Sequence, residues 1–424
     1  MTRAARGRGT PKHDVDARAA LPENAVITVG EHRRTILAAV DLLDELTLPV
    51  ADALGSTLRT AVRAAVDLPL FDNSAMDGFA VRFADVAAAS AASPVLLKVV
   101  ADLPAGTALD PAFTSGEAVR IMTGAPLPAS ADTVVPFEAT VGGLADSLRT
   151  TQVVHAPRHL SAHIRWRGED CRAGTELVPQ GVELGALQLS AIAAANVDTV
   201  TVSRRPRVAV IATGTELRPP GSSLERGQIP ESNSLLLAAL ASETGAEVIL
   251  RTTVGDVDAD LRGAIADATA RGADAIITSG GVSAGAFEVV KTAVIEMTFV
   301  QVAMQPGRPQ GFASGSPLLF GLPGNPVSAA VSFEVFVRPA LLAMQGRTRI
   351  DRRMLRLPAA TGWRSPRERQ QYVPIVFADG AVAPASEHGS HRAGGLARAE
   401  GYAVVPPEVE AVEPGDIVDV MLVS

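Results

Sequence analysis

The sequence contains very little cysteine and few aromatic residues. Cys171 is the one cysteine among 424 residues, so the chain forms no internal disulfide and no thiolate cluster for zinc. Aromatic residues make up 4% and hydrophobic residues 47%, so small aliphatic side chains must fill the core. No apolar run reaches the roughly 20 residues that cross a bilayer, and the basic N-terminus precedes no apolar stretch. These absences indicate a globular, cytoplasmic protein without a secretory signal.

The chain also lacks an excess of basic residues. Lysine and arginine number 38 against 46 acidic residues, which gives a formal net charge of −8. An acidic chain without a basic stripe argues against nucleic acid as its main partner, and nothing indicates a membrane partner. The length is too great for one ordinary core, so several domains are expected.

The periodicity of apolar residues changes along the chain and predicts an α/β multidomain fold. Strand–helix alternation with continuously apolar strands predicts a doubly wound, mostly parallel α/β domain. Poor helical periodicity with frequent Gly and Pro predicts an inserted, mostly β domain, and later short strands predict a C-terminal β-barrel-like domain. The predicted segments are a mobile basic tail (1–22), a helical and extended linking domain (23–68 and 169–205), the inserted β domain (69–168), the α/β domain (206–345) and the C-terminal β domain (346–424).

Within these segments, apolar spacing predicts individual elements. A helix is expected from Val29 to Leu46 and another from Leu184 to Ala195, because apolar residues there keep helical spacing. In the α/β domain the predicted strands are 207–212, 247–254, 273–278, 299–304 and 317–321, and the predicted helices are 234–244, 259–270, 288–297 and 327–344.

Glycine- and proline-rich loops follow the predicted strands of the α/β domain. Ligands of open α/β sheets bind where loops leave the carboxyl ends of the strands. Glycine lets backbone N–H groups approach an anion, and a helix N-terminus adds partial positive charge. A phosphate-binding edge is therefore predicted, although each loop alone could be an ordinary tight turn. Its predicted residues are Gly214, Ser279, Gly280, Gly281, Ser283, Lys291, Pro306, Arg308, Pro309, Gly324 and Asn325.

Two carboxylates stand beside these loops. Glu216 follows the first strand of the sheet, and Asp274 lies at the start of the strand that leads into the Gly-rich loop. Carboxylate oxygens next to a phosphate suit Mg²⁺, so both are predicted to act in catalysis and to bind Mg²⁺. The alternative for Asp274 is a cap or turn residue.

A second polar cluster lies in the predicted inserted domain. The turn of residues 71–78 presents two carboxylates, an amide and a hydroxyl, and 120–126 and 165–170 form polar turns of the same kind. Plain Asx-type turns remain the alternative. Three histidines, His155, His159 and His163, have helical spacing, but Pro157 interrupts that helix, so zinc is not expected there.

Nine strings together resemble the molybdopterin molybdenumtransferase family, which includes the C-terminal domain of gephyrin. The resemblance runs from about residue 25 to the C-terminus, and the nine strings occur in the family's order. They are FDNSAMDGFAV (71–81), RIMTGAPLP (120–128), RGED (167–170), ATGTEL (212–217), GQIPESN (227–233), TSGGVSAG (278–285), PGRP (306–309), GLPGNPVSA (321–329) and HGSH (388–391).

The resemblance implies a reaction and an assembly. It implies insertion of molybdenum from molybdate into adenylylated molybdopterin with release of AMP, dependence on Mg²⁺, and a homodimer whose active sites are shared between chains. The residues similar to the family's active-site set are Asp77, Thr123, Arg165, Asp170, Glu216, Glu231, Asp274, Lys291, Pro306, Pro309, Arg369 and Ser390. Among them Asp77, Thr123, Asp170, Glu216 and Asp274 are expected to be catalytic, and Glu216, Glu231 and Asp274 to be the metal ligands.

The sequence departs from the family's pattern at four positions, Thr215, Glu231, Ala286 and Arg308, which puts the metal ligands in doubt. Three other functions account for less of the sequence. A non-catalytic scaffold would not need the carboxylates at Asp77, Glu216 and Asp274. An adenylyltransferase would leave the flanking domains unexplained. A nicotinamide-dependent oxidoreductase would need a G-x-G-x-x-G motif after the first strand of the sheet, and the sequence has none there.

Overall fold

The computed structural model describes residues 26–144, 148–281, 290, 293, 294, 296–386 and 393–423. Contacts divide the chain into two compact units. The inserted unit contains Leu43–Arg204 and Gln345–Arg349, and the α/β unit contains the chain up to Leu42, Arg205–Met344 and the chain from Ile350. The predicted tail (1–22) lies outside the described residues, as does half of the predicted helix at 288–297.

The described helices differ widely in length. In chain order they are α1 Val29–Ala38, α2 Phe83–Val86, α3 Ala186–Ala194, α4 Asn233–Glu243, α5 Asp258–Ala270, α6 Pro326–Met344 and α7 Ala393–Leu396, with 3₁₀ turns at Val50–Asp52 and Phe137–Ala139. Helix α6 contains a π-helical turn at Phe333–Val337.

Most of the described strands are short. In chain order they are β1 Val26–Ile27, β2 Glu45–Pro49, β3 Val62–Arg63, β4 Asn73–Ser74, β5 Gly78–Val81, β6 Val95–Leu103, β7 Glu117–Ile121, β8 Thr133–Pro136, β9 Thr140–Val141, β10 Thr150–Val153, β11 Ile164–Arg165, β12 Glu176–Val178, β13 Thr199–Ser203, β14 Arg207–Thr213, β15 Leu217–Arg218, β16 Ile229–Pro230, β17 Glu247–Val254, β18 Ala275–Ser279, β19 Thr298–Val302, β20 Met304–Gln305, β21 Pro309–Ala313, β22 Leu318–Leu322, β23 Met354–Pro358, β24 Trp363–Arg364, β25 Gln370–Ala378, β26 Ala381–Pro384, β27 Gly401–Val405, β28 Ala411–Val412 and β29 Ile417–Leu422.

The α/β unit is built on a seven-stranded sheet in the order β1-β19-β21-β22-β18-β14-β17. The pairs of β14 with β17 and β18, of β18 with β22 and of β1 with β19 are parallel, whereas β21 pairs antiparallel with both β19 and β22. The sheet is therefore mixed. No strand was predicted at β21, because Pro309 and the preceding Gly-Arg resemble a loop.

The central strands are buried on both faces. Every residue from Val208 to Thr213 in β14 is buried, as is all of β18, which explains their continuous apolar character. On one face Ile211 and Ile276 pack with Leu261 of α5. Helix α6 is long and apolar enough to cross a membrane, but 89% of it is buried within the protein, so it is a core helix.

Helix α1 is shorter than predicted. A capping box between Thr28 and Glu31 begins it, and it ends at Ala38 rather than at Leu46. Leu46 instead lies in β2, where it pairs with Val202 of β13, because backbone pairing overrides its helical spacing. Residues 26–38 also belong to the α/β unit rather than to the predicted linking domain, since β1 extends the seven-stranded sheet.

Two other large sheets, each of six strands, lie outside this one, and the remaining described strands form two-stranded pairs. In the inserted unit, six strands in the order β8-β5-β7-β6-β10-β9 enclose a core that contains Phe79 and Leu97. In the C-terminal part of the α/β unit, the order is β20-β25-β27-β29-β23, with β26 beside β25. Strand β20 comes directly before the Pro306–Pro309 loop, so this loop joins the C-terminal sheet to β21 of the larger sheet.

Candidate active site

A large cavity lies in the α/β unit at the carboxyl ends of its parallel strands. Its volume is about 1340 Å³. One wall is formed by the loops after β14, β17, β18 and β22, and another by residues of the C-terminal sheet. The predicted residues that line it are Gly214, Glu216, Glu231, Ser279, Gly280, Gly281, Pro306, Arg308, Pro309, Gly324, Asn325 and Arg369. The structure therefore brings these twelve together.

The glycine loops pass too close to one another for side chains. Gly280 has a φ of +97°, and a Cβ there would lie 2.5 Å from the carbonyl oxygen of Thr213. A Cβ on Gly214 would lie 2.6 Å from Oε2 of Glu216, so the side chain of Glu216 folds back over its own loop. The cavity wall is thus largely backbone, which can offer N–H groups to an anion.

Asn233 holds two of these loops together. This residue is the first of helix α4, and its Nδ2 donates to Oγ of Ser279 at 2.8 Å and to the carbonyl oxygen of Gly324 at 2.6 Å. The N-termini of α4 and α6 both open on the cavity, because Asn233, Asn325 and Pro326 line it. Two helix N-termini add partial positive charge, which favours phosphate groups.

Three carboxylates line the cavity, each held differently. Glu216 is exposed in the loop after β14. Asp256 follows β17 and accepts hydrogen bonds from N and Oγ1 of Thr215, both at 3.0 Å. Glu231 is buried and accepts from N of Ser234 at 2.7 Å and from its Oγ at 2.5 Å, so it caps the start of α4.

Asp274 lies at the amino end of the strands, and the structure does not bring it to the cavity with the other predicted residues. It precedes β18 at its amino end, whereas the cavity lies at the carboxyl end, roughly 16 Å away for a strand of this length. Its Oδ2 accepts from N of Arg207 at 2.7 Å, and its own N–H donates to the carbonyl oxygen of Arg207 at 2.7 Å. Asp274 thus joins the amino ends of neighbouring strands, which is the structural alternative stated above.

The predicted metal site of Glu216, Glu231 and Asp274 is not assembled. Among the described residues, no group of three His, Cys, Asp or Glu side chains is placed to hold a metal. Glu216 and Asp256 both line the cavity, however, beside a wall suited to phosphates. Mg²⁺ is commonly bound by one or two carboxylates together with substrate phosphates, so this pair fits such an ion.

The C-terminal sheet contributes the opposite wall. Arg364, Arg369 and Arg308 line it and balance the three carboxylates with three positive charges. Nη1 of Arg369 donates to Oε1 of Gln305 at 3.4 Å. The arginines and the backbone wall together favour an anionic ligand with several charged groups.

A separate polar cluster lies in the inserted unit. Asp77 accepts hydrogen bonds from N of Thr123 at 2.6 Å and from its Oγ1 at 2.7 Å. These two bonds, the backbone bond first, hold the pKa of Asp77 below its ordinary value, so its carboxylate is ionised at neutral pH. Gly78 permits the close approach of β5 to β8, since a Cβ there would lie 2.1 Å from the carbonyl oxygen of Val135.

Arg165 lies on the same turn region of the inserted unit, whereas Asp170 is held elsewhere. Strand β11 pairs Arg165 with Asn73, four residues before Asp77. Asp170 is exposed, and its N–H donates to the carbonyl oxygen of Leu68. The structure brings Asp77, Thr123 and Arg165 to one part of the unit, whereas Asp170 is held beside Leu68.

Three predicted residues, Ser283, Lys291 and Ser390, lie outside the described residues. Sequence reasoning also missed several residues that line the cavity, among them Asp256, Asn233, Ser365 and Gln371. Asp256 could have been found, because it follows β17 directly and so obeys the rule that placed Glu216 at the cavity. The side chains of the C-terminal sheet carried no motif.

Comparison with known protein families matches nearly all of the chain. Residues 27–196 match the MoeA N-terminal region (domain I and II), 209–343 a probable molybdopterin binding domain, and 356–423 the MoeA C-terminal region (domain IV). Molybdopterin molybdenumtransferase 2 of Mycobacterium tuberculosis is 42% identical over 401 residues, covering 92% of this chain and 97% of that protein. The chain belongs to the molybdopterin molybdenumtransferase family. It is therefore an enzyme of molybdenum cofactor biosynthesis.

Further relatives agree in sequence and in fold. Molybdopterin molybdenumtransferase of Nostoc is 36% identical, covering 84% of this chain and 83% of that protein. The crystal structure of the molybdopterin biosynthesis moeA protein from Pyrococcus horikoshii OT3 matches with a TM-score of 0.81 at 25% identity, covering 94% of this chain and all of that one. The family resemblance inferred from the nine strings is thus confirmed.

Proposed function

We propose that this enzyme transfers molybdenum from molybdate to adenylylated molybdopterin, with release of AMP, in a reaction that depends on Mg²⁺. The observation that carries the proposal is the cavity at the carboxyl ends of the sheet. Glycine loops and two helix N-termini meet there, with Glu216 and Asp256 at its edge. Such a wall suits the phosphates of an adenylylated substrate, and its volume of about 1340 Å³ is large enough for a dinucleotide-sized ligand.

Release of AMP requires cleavage of a phosphoanhydride, which sets the tasks of the side chains. Bound Mg²⁺ would neutralise charge that develops on the phosphate oxygens, and Glu216 and Asp256 would hold it. Glu216 also orients the attacking water, and Asn233 keeps the loops of Ser279 and Gly324 at a fixed separation. Arg308 and Arg369 hold anionic groups of the substrates on the facing wall. Glu231 acts indirectly by fixing the start of α4.

In the inserted unit, Asp77, Thr123 and Arg165 are proposed to act near molybdate. Molybdate is a dianion, so Arg165 supplies charge complementarity. The ionised carboxylate of Asp77 accepts from Thr123 and fixes the position of the hydroxyl. The enzyme is proposed to be a cytoplasmic homodimer in which the Asp77 cluster of one chain serves the cavity of the partner, so that each active site is shared.

The test is a transfer assay with purified protein, adenylylated molybdopterin, molybdate and Mg²⁺. AMP and metal-loaded cofactor should form together, and chelation of Mg²⁺ by EDTA should stop both. Omission of molybdate separates transfer from simple hydrolysis of the nucleotide. Formation of neither product under saturating substrates would contradict the proposal.

A further inference from the structure

Several buried polar atoms have no hydrogen-bond partner, and they are concentrated at the cavity. Among the described residues, six buried side-chain nitrogen or oxygen atoms have none. Three of these six belong to residues that line the cavity: Oδ1 of Asn233, Oγ of Ser365 and Oε1 of Gln371. Folded proteins pair nearly all such atoms, so three exceptions on the walls of one cavity call for a ligand.

Ser365 and Gln371 belong to the wall formed by the C-terminal sheet. Their exposed fractions are 7% and 6%. Nε2 of Gln371 donates to the carbonyl oxygen of Arg364 at 3.3 Å, which fixes the orientation of the amide and leaves Oε1 as the atom without a partner. The N–H of Ser365 donates to the carbonyl oxygen of Glu410, so its position is set by backbone pairing. The amide of Gln371 and the backbone of Ser365 are thus held in place independently of a ligand.

The chemistry of these atoms selects the ligand. A carbonyl oxygen such as Oε1 only accepts, and a hydroxyl both accepts and donates. A fully ionised oxyanion such as molybdate or a phosphodiester offers no proton to Oε1, so it cannot satisfy this atom. A heterocycle that presents an amino group or a ring N–H beside a ring acceptor matches the pair.

We propose that Ser365 and Gln371 form a subsite for the amino-bearing edge of a heterocycle. The assignment to the substrate rests on the proposed function, since adenylylated molybdopterin carries this chemistry at both its adenine and its pterin end. The cavity then divides by chemistry: backbone N–H groups and arginines receive the anionic centre, and the Ser365–Gln371 pair receives one of the two rings.

The subsite predicts an unusual combination of effects. Ser365→Ala removes a hydroxyl that has no partner in the free protein, so the melting temperature should stay the same or rise. Ligand binding should nevertheless weaken, because the ligand loses a hydrogen bond. Loss of one good hydrogen bond to a buried polar group corresponds to about tenfold in affinity.

Titration calorimetry with three probes tests the proposal: AMP, hydroxymethylpterin and inorganic pyrophosphate. Ser365→Ala and Gln371→Leu should each weaken binding of one heterocyclic probe by about tenfold or more, and leave pyrophosphate unchanged. Weaker AMP binding assigns the subsite to adenine, and weaker hydroxymethylpterin binding assigns it to the pterin. Since Gln371→Leu also loses the bond to Arg364, Ser365→Ala is the decisive variant.

Ser203→Ala is the matched control. Ser203 is also buried, but its Oγ donates to the carbonyl oxygen of Arg204 at 3.0 Å and it lies in the inserted unit. It should lower the melting temperature and leave all three affinities unchanged. Unaltered affinity of Ser365→Ala for both heterocycles, or failure of the unaltered protein to bind either one, would overturn the subsite. If the protein bound a heterocycle through Ser365 but was inactive in the transfer assay, the subsite would stand and only the proposed function would be overturned.

Discussion

At the scale of single residues, position along a strand separates two acidic residues that look equivalent in the sequence. Glu216 follows the carboxyl end of β14, and Asp274 precedes the amino end of β18. Both stand next to conspicuous loops, but parallel strands bring only their carboxyl ends to the ligand-binding edge. Glu216 is therefore available to act on a ligand, whereas the carboxylate of Asp274 accepts a hydrogen bond from the neighbouring strand.

The first prediction concerns Glu216. Glu216→Gln keeps the shape and removes the charge of an exposed side chain, so the melting temperature should change little. Release of AMP should fall by on the order of 100-fold or more, because the group that orients water and holds Mg²⁺ is lost. Steady-state AMP formation measures this. Glu225→Gln, an exposed acid of the same unit outside the cavity lining, is the control and should retain full activity.

The second prediction reverses this pattern for Asp274. Asp274→Asn weakens a hydrogen bond between a carboxylate and the N–H of Arg207, so it should lower the free energy of unfolding by about 1–2 kcal/mol. The rate of AMP release by the folded variant should match that of the unaltered enzyme. Urea denaturation and the transfer assay provide the two measurements. A collapse of activity without loss of stability would restore Asp274 to the catalytic set.

The third prediction uses the hydrogen bonds that Thr123 donates to Asp77. Thr123→Val removes the hydroxyl but retains the backbone N–H, which is the larger cause of the lowered pKa. The pKa of Asp77 should therefore rise partway toward its ordinary value. If the ionised carboxylate is required, the acid limb of the pH–rate profile should move to higher pH by the same amount. Carboxyl NMR of Asp77 gives an independent reading; an unchanged pKa would mean that the hydroxyl is not its partner in solution.

At the scale of elements, the sequence predicted those whose signal is local. Strands β14 and β17 and helices α4, α5 and α6 were placed within one or two residues, because continuous apolar strands and a helical period appear directly in the sequence. The end of α1 and strand β21 were missed, because each depends on pairing with residues far along the chain. The cavity's glycine loops were found by motif, whereas Ser365 and Gln371 became visible only when the C-terminal sheet was placed beside them.

Helix α1 gives the fourth prediction. His32 is buried, its ring centroid lies 4.8 Å from that of Phe336, and burial lowers its pKa to about 4. In the unfolded chain its pKa is near 6.5, so the unfolded state binds the proton more tightly. The stabilising contribution is present above pH 6.5 and is lost as the pH falls toward 4.

Stability should therefore drop by about 2 kcal/mol from this group between pH 7 and pH 5. His32→Phe retains an aromatic ring and has no proton to bind, so its stability should depend less on pH over that interval. Thermal unfolding at several pH values compares the two proteins. Parallel curves for both would show that His32 is not the source of the pH dependence. His155→Phe, an exposed histidine of the inserted unit, serves as control and should follow the unaltered protein.

At the scale of the whole molecule, the candidate residues fall into the two units. Asp77 and Thr123 lie in the inserted unit, and Glu216 and Asp256 lie in the α/β unit. Each unit has its own core, and each presents its polar cluster on loops. A two-fold dimer with sites shared between chains would contain two equivalent composite sites.

The fifth prediction follows from the two equivalent composite sites of such a dimer. Asp77→Asn and Glu216→Gln should each inactivate the homodimer. In a mixed dimer of one Asp77→Asn chain and one Glu216→Gln chain, one composite site would contain both substitutions and the other neither. About half of the activity of the unaltered enzyme should therefore return. Two different tags, with purification through both, isolate the mixed dimer, and light scattering verifies its mass. A folded mixed dimer without activity would mean that each site is built within one chain.

The π turn in helix α6 has a consequence for insertions and deletions in this family. Such a turn holds one residue more than an α-helical turn, so deleting a single residue from Phe333–Val337 would restore a regular helix. Because the π turn already accommodates the extra residue, that deletion would leave the flanking helical segments nearly in register. A deletion in the α-helical segment 327–332 would instead rotate everything on one side of it by about 100° and shift it by about 1.5 Å. Glu334 anchors the turn, because its carboxylate accepts two hydrogen bonds from the guanidinium of Arg352, at 2.9 and 3.0 Å. The rotation would therefore fall on Asn325 and Pro326 at the cavity, which makes chain length here a determinant of the site's geometry.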